Sequence, residues 1–120
     1  MSLSLKKIRP LEINGKLVLP RVDKNCLTNW HIFAIRVAKP IRDWALSALK
    51  SEGIEATFHF MPLHDAPFAR KTLKIRYSLP VTESVSRQII RLPIYPQLKK
   101  SDLDDIVIAL SKVLNYKKEK

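Results

Sequence analysis

The sequence predicts one small α+β domain, a sheet of about three strands with helices packed on it, and three observations carry that prediction. A run of period two begins at Asn29, apolar residues at helical spacing follow Pro40 and stop at Gly53, and a long amphipathic stretch follows Ser101. At 120 residues no second core is expected. Apolar residues make up 46% and charged residues 28%, which is ordinary globular usage.

Residues 1–28 read as a basic lead-in. Lys6, Lys7, Arg9, Lys16, Arg21 and Lys24 stand there against Glu12 and Asp23, and Pro10 and Pro20 interrupt any long helix, so no core element is expected. Asn14-Gly15 signals a turn between short apolar stretches at residues 11–13 and 17–19. From Asn29, the residues Trp30, Ile32, Ala34 and Arg36 alternate with His31, Phe33, Ile35 and Val37, a strand apolar on both faces and therefore central. Ile41, Trp44, Ala45, Ala48 and Leu49 then predict a helix of about three turns, with Gly53 at its C′ position. Residues 54–60 are rich in β-branched and aromatic side chains and are bounded by Gly53 and Pro62, which predicts a second strand. Strand, helix, strand is thus the expected centre of the fold.

Residues 61–80 contain Pro62, Pro67 and Pro80 with Arg70, Lys71, Lys74 and Arg76, and read as loop with one short helix. Thr82 opens a further helix with Val85, Ile89 and Ile90 inward, followed by the extended segment Leu92-Pro93-Ile94-Tyr95-Pro96, clipped by two prolines. Ser101 is the expected N-cap of the last helix. Asp102, Asp104 and Asp105 lie at its positive end, and Lys112, Lys117 and Lys118 lie towards its negative end. Its buried stripe is Leu103, Ile106, Val107, Leu110, Val113 and Leu114. Residues 117–120 form a charged tail.

Composition excludes several classes of function. The longest apolar run is a few residues, far short of the ~20 that span a bilayer, so no membrane partner is expected. Residues 1–10 carry Lys6, Lys7 and Arg9 without an apolar core, which does not read as a secretory signal, and the cytoplasm is the expected location. Cys26 is the single cysteine, so no disulfide or cysteine cage forms within the chain. It is expected as buried packing, with a nucleophile as the alternative. The unusual quantity is charge: 22 basic against 11 acidic residues, a net +11. Such a surplus attracts nucleic acid, anionic lipid or a phosphorylated ligand, or marks a fragment whose acidic partner is absent.

The densest cluster of titratable and rigid residues is His59-Phe60-Met61-Pro62-Leu63-His64-Asp65-Ala66-Pro67, at the end of the second expected strand. Strand ends are where α/β proteins place ligands. His59 and His64 can donate to phosphate, accept from hydroxyl or bind metal, while two prolines stiffen the loop. The spacing lacks a third placed metal ligand, and no metal is expected. The alternative is a strand-capping His59 and a solvated loop His64. Arg36, Arg42 and Arg91 are candidates for anionic groups, with surface or ion-pair roles as the alternative. Gly15 and Gly53 are the only glycines, too few for a phosphate loop, and there is no nucleophile elbow and no aromatic RNA-binding signature.

Six segments in order carry a resemblance: Asn29-Trp30-His31-Ile32-Phe33; Arg42-Asp43; Leu49-Lys50-Ser51-Glu52-Gly53-Ile54; Phe58-His59-Phe60 with Pro62-Leu63-His64; Leu79-Pro80-Val81-Thr82-Glu83; and Leu92-Pro93-Ile94-Tyr95-Pro96 with Leu98. Together they resemble the C-terminal small domain of the DegT/DnrJ/StrS family, pyridoxal-phosphate-dependent aminotransferases acting on nucleotide-linked keto sugars. The form of Cys26, Asn29, His31 and Phe58-His59-Phe60 is most similar to the branch aminating TDP-4-keto-6-deoxyhexose. The resemblance assigns residues 29–116 to that domain, with the fold of the small domain of fold-type I aminotransferases.

It implies that residues 59–64 lie at the mouth of the active site and that residues 91–96 return towards it. His59, Phe60, His64, Arg91 and Tyr95 would then be an inherited substrate-binding half-site, with no catalytic residue. The family's Schiff-base lysine, its aspartate for the pyridine nitrogen and its phosphate-binding residues have no counterpart. No cofactor is therefore expected on this chain alone, and it should be a truncated form, inactive without a partner supplying the cofactor half. Exposed apolar surface would drive homodimerisation or docking on a large aminotransferase domain. A second reading is a nucleic-acid or anionic-surface binder. The basic residues, however, are spread over four segments without interleaved exposed aromatics.

Overall fold

A computed structural model describes residues 2–27, 32–58, 61–93 and 98–116, with the backbone alone for residues 2–5. Five helices and two strands follow in the order α1 (Ser2–Ile13), β1 (Phe33–Arg36), α2 (Lys39–Ser51), α3 (Pro67–Lys71), α4 (Pro80–Ser86), β2 (Ile89–Leu92) and α5 (Lys100–Tyr116), with a 3-10 turn at Leu63–Asp65. The class is α+β, as expected. No helix among the described residues is long and apolar enough to cross a membrane.

The two strands are antiparallel, with Phe33 opposite Leu92, Ala34 opposite Arg91, Ile35 opposite Ile90 and Arg36 opposite Ile89. Partners across a ladder share a face. Phe33, Ile35, Ile90 and Leu92 are buried against the helices, whereas Ala34, Arg36, Ile89 and Arg91 stand half-buried on the outer face. The ladder is widened by one bridge on each side, Val18 to Arg36 and Thr57 to Arg91. β1 is therefore central in its pairing but buried on one face only. Its expected beginning at residues 29–31 lies outside the described residues.

Residues 54–60 depart from the expected strand. Among those described, only Thr57 pairs with the sheet, because the backbone before it is already engaged. α2 ends in a Schellman motif: Gly53, at φ +83°, donates to the Lys50 carbonyl at 3.0 Å, and Ile54 donates to that of Leu49 at 2.9 Å. Gly53 is thus the C′ glycine that the sequence predicts. The second ladder strand comes from Ile89–Leu92 instead, part of which was expected in a helix. α4 stops at Ser86, and Val37 N–H then takes the Gln88 carbonyl at 3.0 Å, drawing the chain alongside β1.

The lead-in contributes to the core, a second departure. Ile8, Leu11, Leu17 and Leu19 are buried with the strand residues and with Ala45, Leu49, Ile106, Leu110, Val113 and Leu114. Pro10 sits inside α1, where its missing N–H leaves one backbone position unbonded without ending the helix. The Asn14-Gly15 signal is the cap of that helix: Gly15, at φ +75°, donates to Glu12 and Lys16 donates to Leu11, both at 2.9 Å. Cys26 is also corrected, for it is exposed in the turn closed by its N–H to the Asp23 carbonyl.

α5 matches its expected stripe, with Ala109 added and Val107 half-buried. Its N-cap is Lys99, two residues before the expected Ser101, which lies inside the first turn. Lys99 N–H donates to Asp102 Oδ2 at 3.1 Å, the half of a capping box that the third helical residue supplies, and the Lys99 carbonyl accepts the first helical bond, from Leu103 at 3.0 Å. Lys7 to Asp104 ties α1 to α5, Lys112 to Glu52 ties α5 to the end of α2, and Trp44 stacks on Tyr116 at 5.8 Å.

Candidate functional site

The segment between Thr57 and α4 forms a small unit with a hydrogen-bonded interior. Pro62 leads into the 3-10 turn at Leu63–Asp65, which turns His64 inward until it is 4% exposed, the one buried polar residue among those described. Its Nε2 lies 2.9 Å from Glu83 Oε2 in the first turn of α4, and its ring stacks on Tyr77 at 6.0 Å. Glu83 Oε2 also accepts the Ser78 hydroxyl at 3.1 Å and Leu79 N–H at 2.9 Å. The bond from His64, followed by those from Leu79 and Ser78, holds the Glu83 carboxyl at about 2, below its ordinary 4.5. An ionised carboxylate only accepts, so His64 carries its proton on Nε2 and donates.

Arg70 closes the rest of the unit. It pairs with Asp65 and donates through Nη1 to the carbonyls of Ile75 at 2.9 Å and Tyr77 at 3.4 Å. Arg76 returns to the Arg70 carbonyl at 2.8 Å, across a turn in which Lys74 adopts φ +56°. Between this unit and α2 lies a cleft of about 290 Å³ lined by Arg42, Phe58, Met61, Pro62, Asp65, Glu83, Ser86 and Arg87.

The residues singled out by sequence fall into four groups. His59, Phe60 and Tyr95 lie outside the described residues. His64 is described, and it is buried rather than solvated. Arg91 lies on the outer sheet face opposite Ala34 and Thr57, and its guanidinium has no hydrogen bond or ion pair among the described residues. Arg36 is on the same face at the Val18 edge. Arg42 is spent on structure: Nη1 donates to the carbonyls of Ser86 at 3.0 Å and Ile89 at 3.2 Å, Nε pairs with Asp43 at 2.7 Å, and the guanidinium sits 6.0 Å from the Phe58 ring. Sequence reasoning assigned no role to Glu83, Tyr77, Arg70 or Arg87. Glu83 lay within the segment of residues 79–83 and could have been marked as the carboxylate within reach of a loop histidine.

Two other groups can be tested against these side chains. His64, Asp65 and Glu83 bring ligand atoms within 4.8 Å of one another, but Arg70 holds Asp65, and three donors occupy Glu83 Oε2. A cation would have to break that network. A pyridoxal cofactor requires a lysine in a desolvated pocket. Among the described residues no lysine is buried and none lines the cleft, so they do not supply that group.

Comparison with known proteins places this architecture. The family model of the DegT/DnrJ/EryC1/StrS aminotransferase family matches residues 8–111. The uncharacterized protein MJ1066 of Methanocaldococcus jannaschii is 33% identical over 104 residues, which are 82% of this chain and 27% of that protein. DesV of S. venezuelae, solved in complex with a ketimine intermediate, superposes with a TM-score of 0.81 at 27% identity over 94% of this chain and 30% of DesV. The aminotransferase TlmJ of Streptoalloteichus hindustanus gives 0.83 at 20% identity over 96% of this chain and 31% of its own, a likeness of fold. NtdA of Bacillus subtilis, solved with bound cofactor PMP, gives 0.79 at 21% identity over 92% and 26%. The chain thus spans between a quarter and a third of these proteins, and with its fold and residues 8–111 matched, it belongs to the DegT/DnrJ/EryC1/StrS aminotransferase family.

Proposed function

We propose that this chain is the C-terminal small-domain part of a nucleotide-sugar aminotransferase, contributing one wall of a pocket for a TDP-linked 4-keto-6-deoxyhexose and inactive until a partner supplies the cofactor half. The observation that carries the reading is the family match over residues 8–111 in a chain spanning 27% of its relative. His59, Phe60, His64, Arg91 and Tyr95 are the inherited half-site. Within it His64 is a positioning residue, since its donor is given to Glu83 and its ring to Tyr77. Arg91 has its guanidinium free of described partners for an anionic group.

The partner reading has support of its own. Phe58, Met61, Leu63, Phe68, Leu73, Tyr77, Leu79 and Val81 are each between 42% and 87% exposed within one stretch of chain. Apolar surface concentrated in this way marks an interaction site. It suits docking on a large aminotransferase domain or a second copy of the chain, in the cytoplasm. The test is an amino-transfer assay with purified chain, pyridoxal phosphate, an amino-acid donor and the TDP-linked keto sugar. No aminated sugar is expected from the chain alone, and turnover by it would overturn the reading.

A further inference from the structure

Beside the first turn of α2, a second cleft gathers four cations, of which three, Lys16, Arg36 and Lys39, are neutralised by no described group. It holds about 500 Å³, within the range of small-ligand sites. Lys16, Arg21, Arg36 and Lys39 line it, together with the turn at Gly15 and the bridge residue Val18. Its one carboxylate is Glu12, which is occupied: Oε2 accepts Leu19 N–H at 2.8 Å and Arg21 Nη2 at 3.1 Å, and Oε1 lies 3.9 Å from Arg9. Among the described residues no hydrogen bond or ion pair engages the side chains of Lys16, Arg36 or Lys39.

The fold imposes this convergence. Arg36 exchanges both backbone hydrogen bonds with Val18, at 2.8 and 3.0 Å, and faces Ile89 in the ladder, so its side chain stays on the outer sheet face, half-buried. Lys39 opens α2 three residues later, and Lys16 follows the cap of α1. Holding like charges together in a concave surface raises their mutual repulsion, and an anion bound there reverses its sign. A guanidinium fork matches two phosphate oxygens, while ammonium groups act as flanking point charges.

We propose that this cleft binds a chain of two or more phosphates, with Arg36 as the bidentate contact and Lys16 and Lys39 on either side. The site is separate from the His64 unit and does not rest on the aminotransferase reading. Such a phosphate chain could be free polyphosphate or part of a nucleotide.

Calorimetric titration of the full chain with inorganic tripolyphosphate at fixed ionic strength tests it. Saturable binding is expected, weakened about tenfold or more in the Arg36→Gln/Lys39→Gln protein, by the loss of two charge-assisted contacts. Lys71→Gln/Lys74→Gln removes the same charge from exposed positions outside the cleft and is expected to change affinity less than about twofold, the field of the net charge alone. Equal weakening by the two pairs, or no saturable binding, overturns the site. Should the first variant lose its cooperative thermal transition, Lys16→Gln/Lys39→Gln gives the same readout. A nucleoside triphosphate binding more tightly than tripolyphosphate identifies a nucleotide as the source, and equal or weaker binding identifies free polyphosphate.

Discussion

Replacing His64 with alanine tests whether the segment from Met61 to Leu79 is an independently held unit. The ring is 4% exposed, stacks on Tyr77 and is the donor to Glu83. Losing the packing of a buried ring of this size costs about 2–3 kcal/mol, roughly a 30- to 150-fold rise in the opening equilibrium. His64 is not part of the main core cluster, which is built from α1, β1, α2, β2 and α5. The cost should therefore appear as local opening. Hydrogen exchange read by mass spectrometry should show faster exchange in peptides from residues 61–79 and little change in α5. Equal loss of protection in α5 would show that His64 belongs to the global core. No change in either would refute the role of His64 in holding this unit.

The acid side follows from Glu83. Its carboxyl is held at about 2 against an ordinary 4.5, so its contribution to the closed segment is full above 4.5 and is lost as pH falls through about 2. Proteolytic susceptibility of residues 61–79 measured across that window should rise with acid in the parent and show no such step in Glu83→Gln. Gly53→Ala places a side chain at φ +83° in open space, so strain alone is expected, about 1 kcal/mol and a few degrees of Tm in a thermal melt. Leu110→Ala, at 0% exposure, should cost about 2–5 kcal/mol in denaturant unfolding, with the slope against denaturant unchanged.

The legible parts of the fold were those whose period and ends agree. α2 has its apolar stripe and Gly53, and α5 has Leu103, Ile106, Leu110, Val113 and Leu114 with acidic residues at its start. Where two structures use the same local pattern, tertiary contacts decide. Ile89 lies four residues after Val85 and suits a helix face, yet it is equally β-branched and pairs with Arg36. Asn14-Gly15 suits a turn between strands as well as a helix cap, and Pro10 near a C-terminal end hides the helix before it. Ile54, Thr57 and Phe58 favour a strand, but the Schellman cap claims the Ile54 N–H. In the site, the stiff histidine-bearing segment was visible. Its partner was not, because Glu83 lies 19 residues away and only the folded chain brings it to Nε2.

As one part of an aminotransferase, the proposed role of this chain, it should not hold the pyridoxal cofactor on a lysine of its own. The most direct test is incubation of the purified chain with pyridoxal phosphate, followed by borohydride reduction and mass analysis of the lysine-bearing peptides. No stable absorbance near the visible edge and no single lysine trapped in stoichiometric yield are expected. One lysine trapped specifically, with its absorbance band lost when that lysine is replaced, would contradict it.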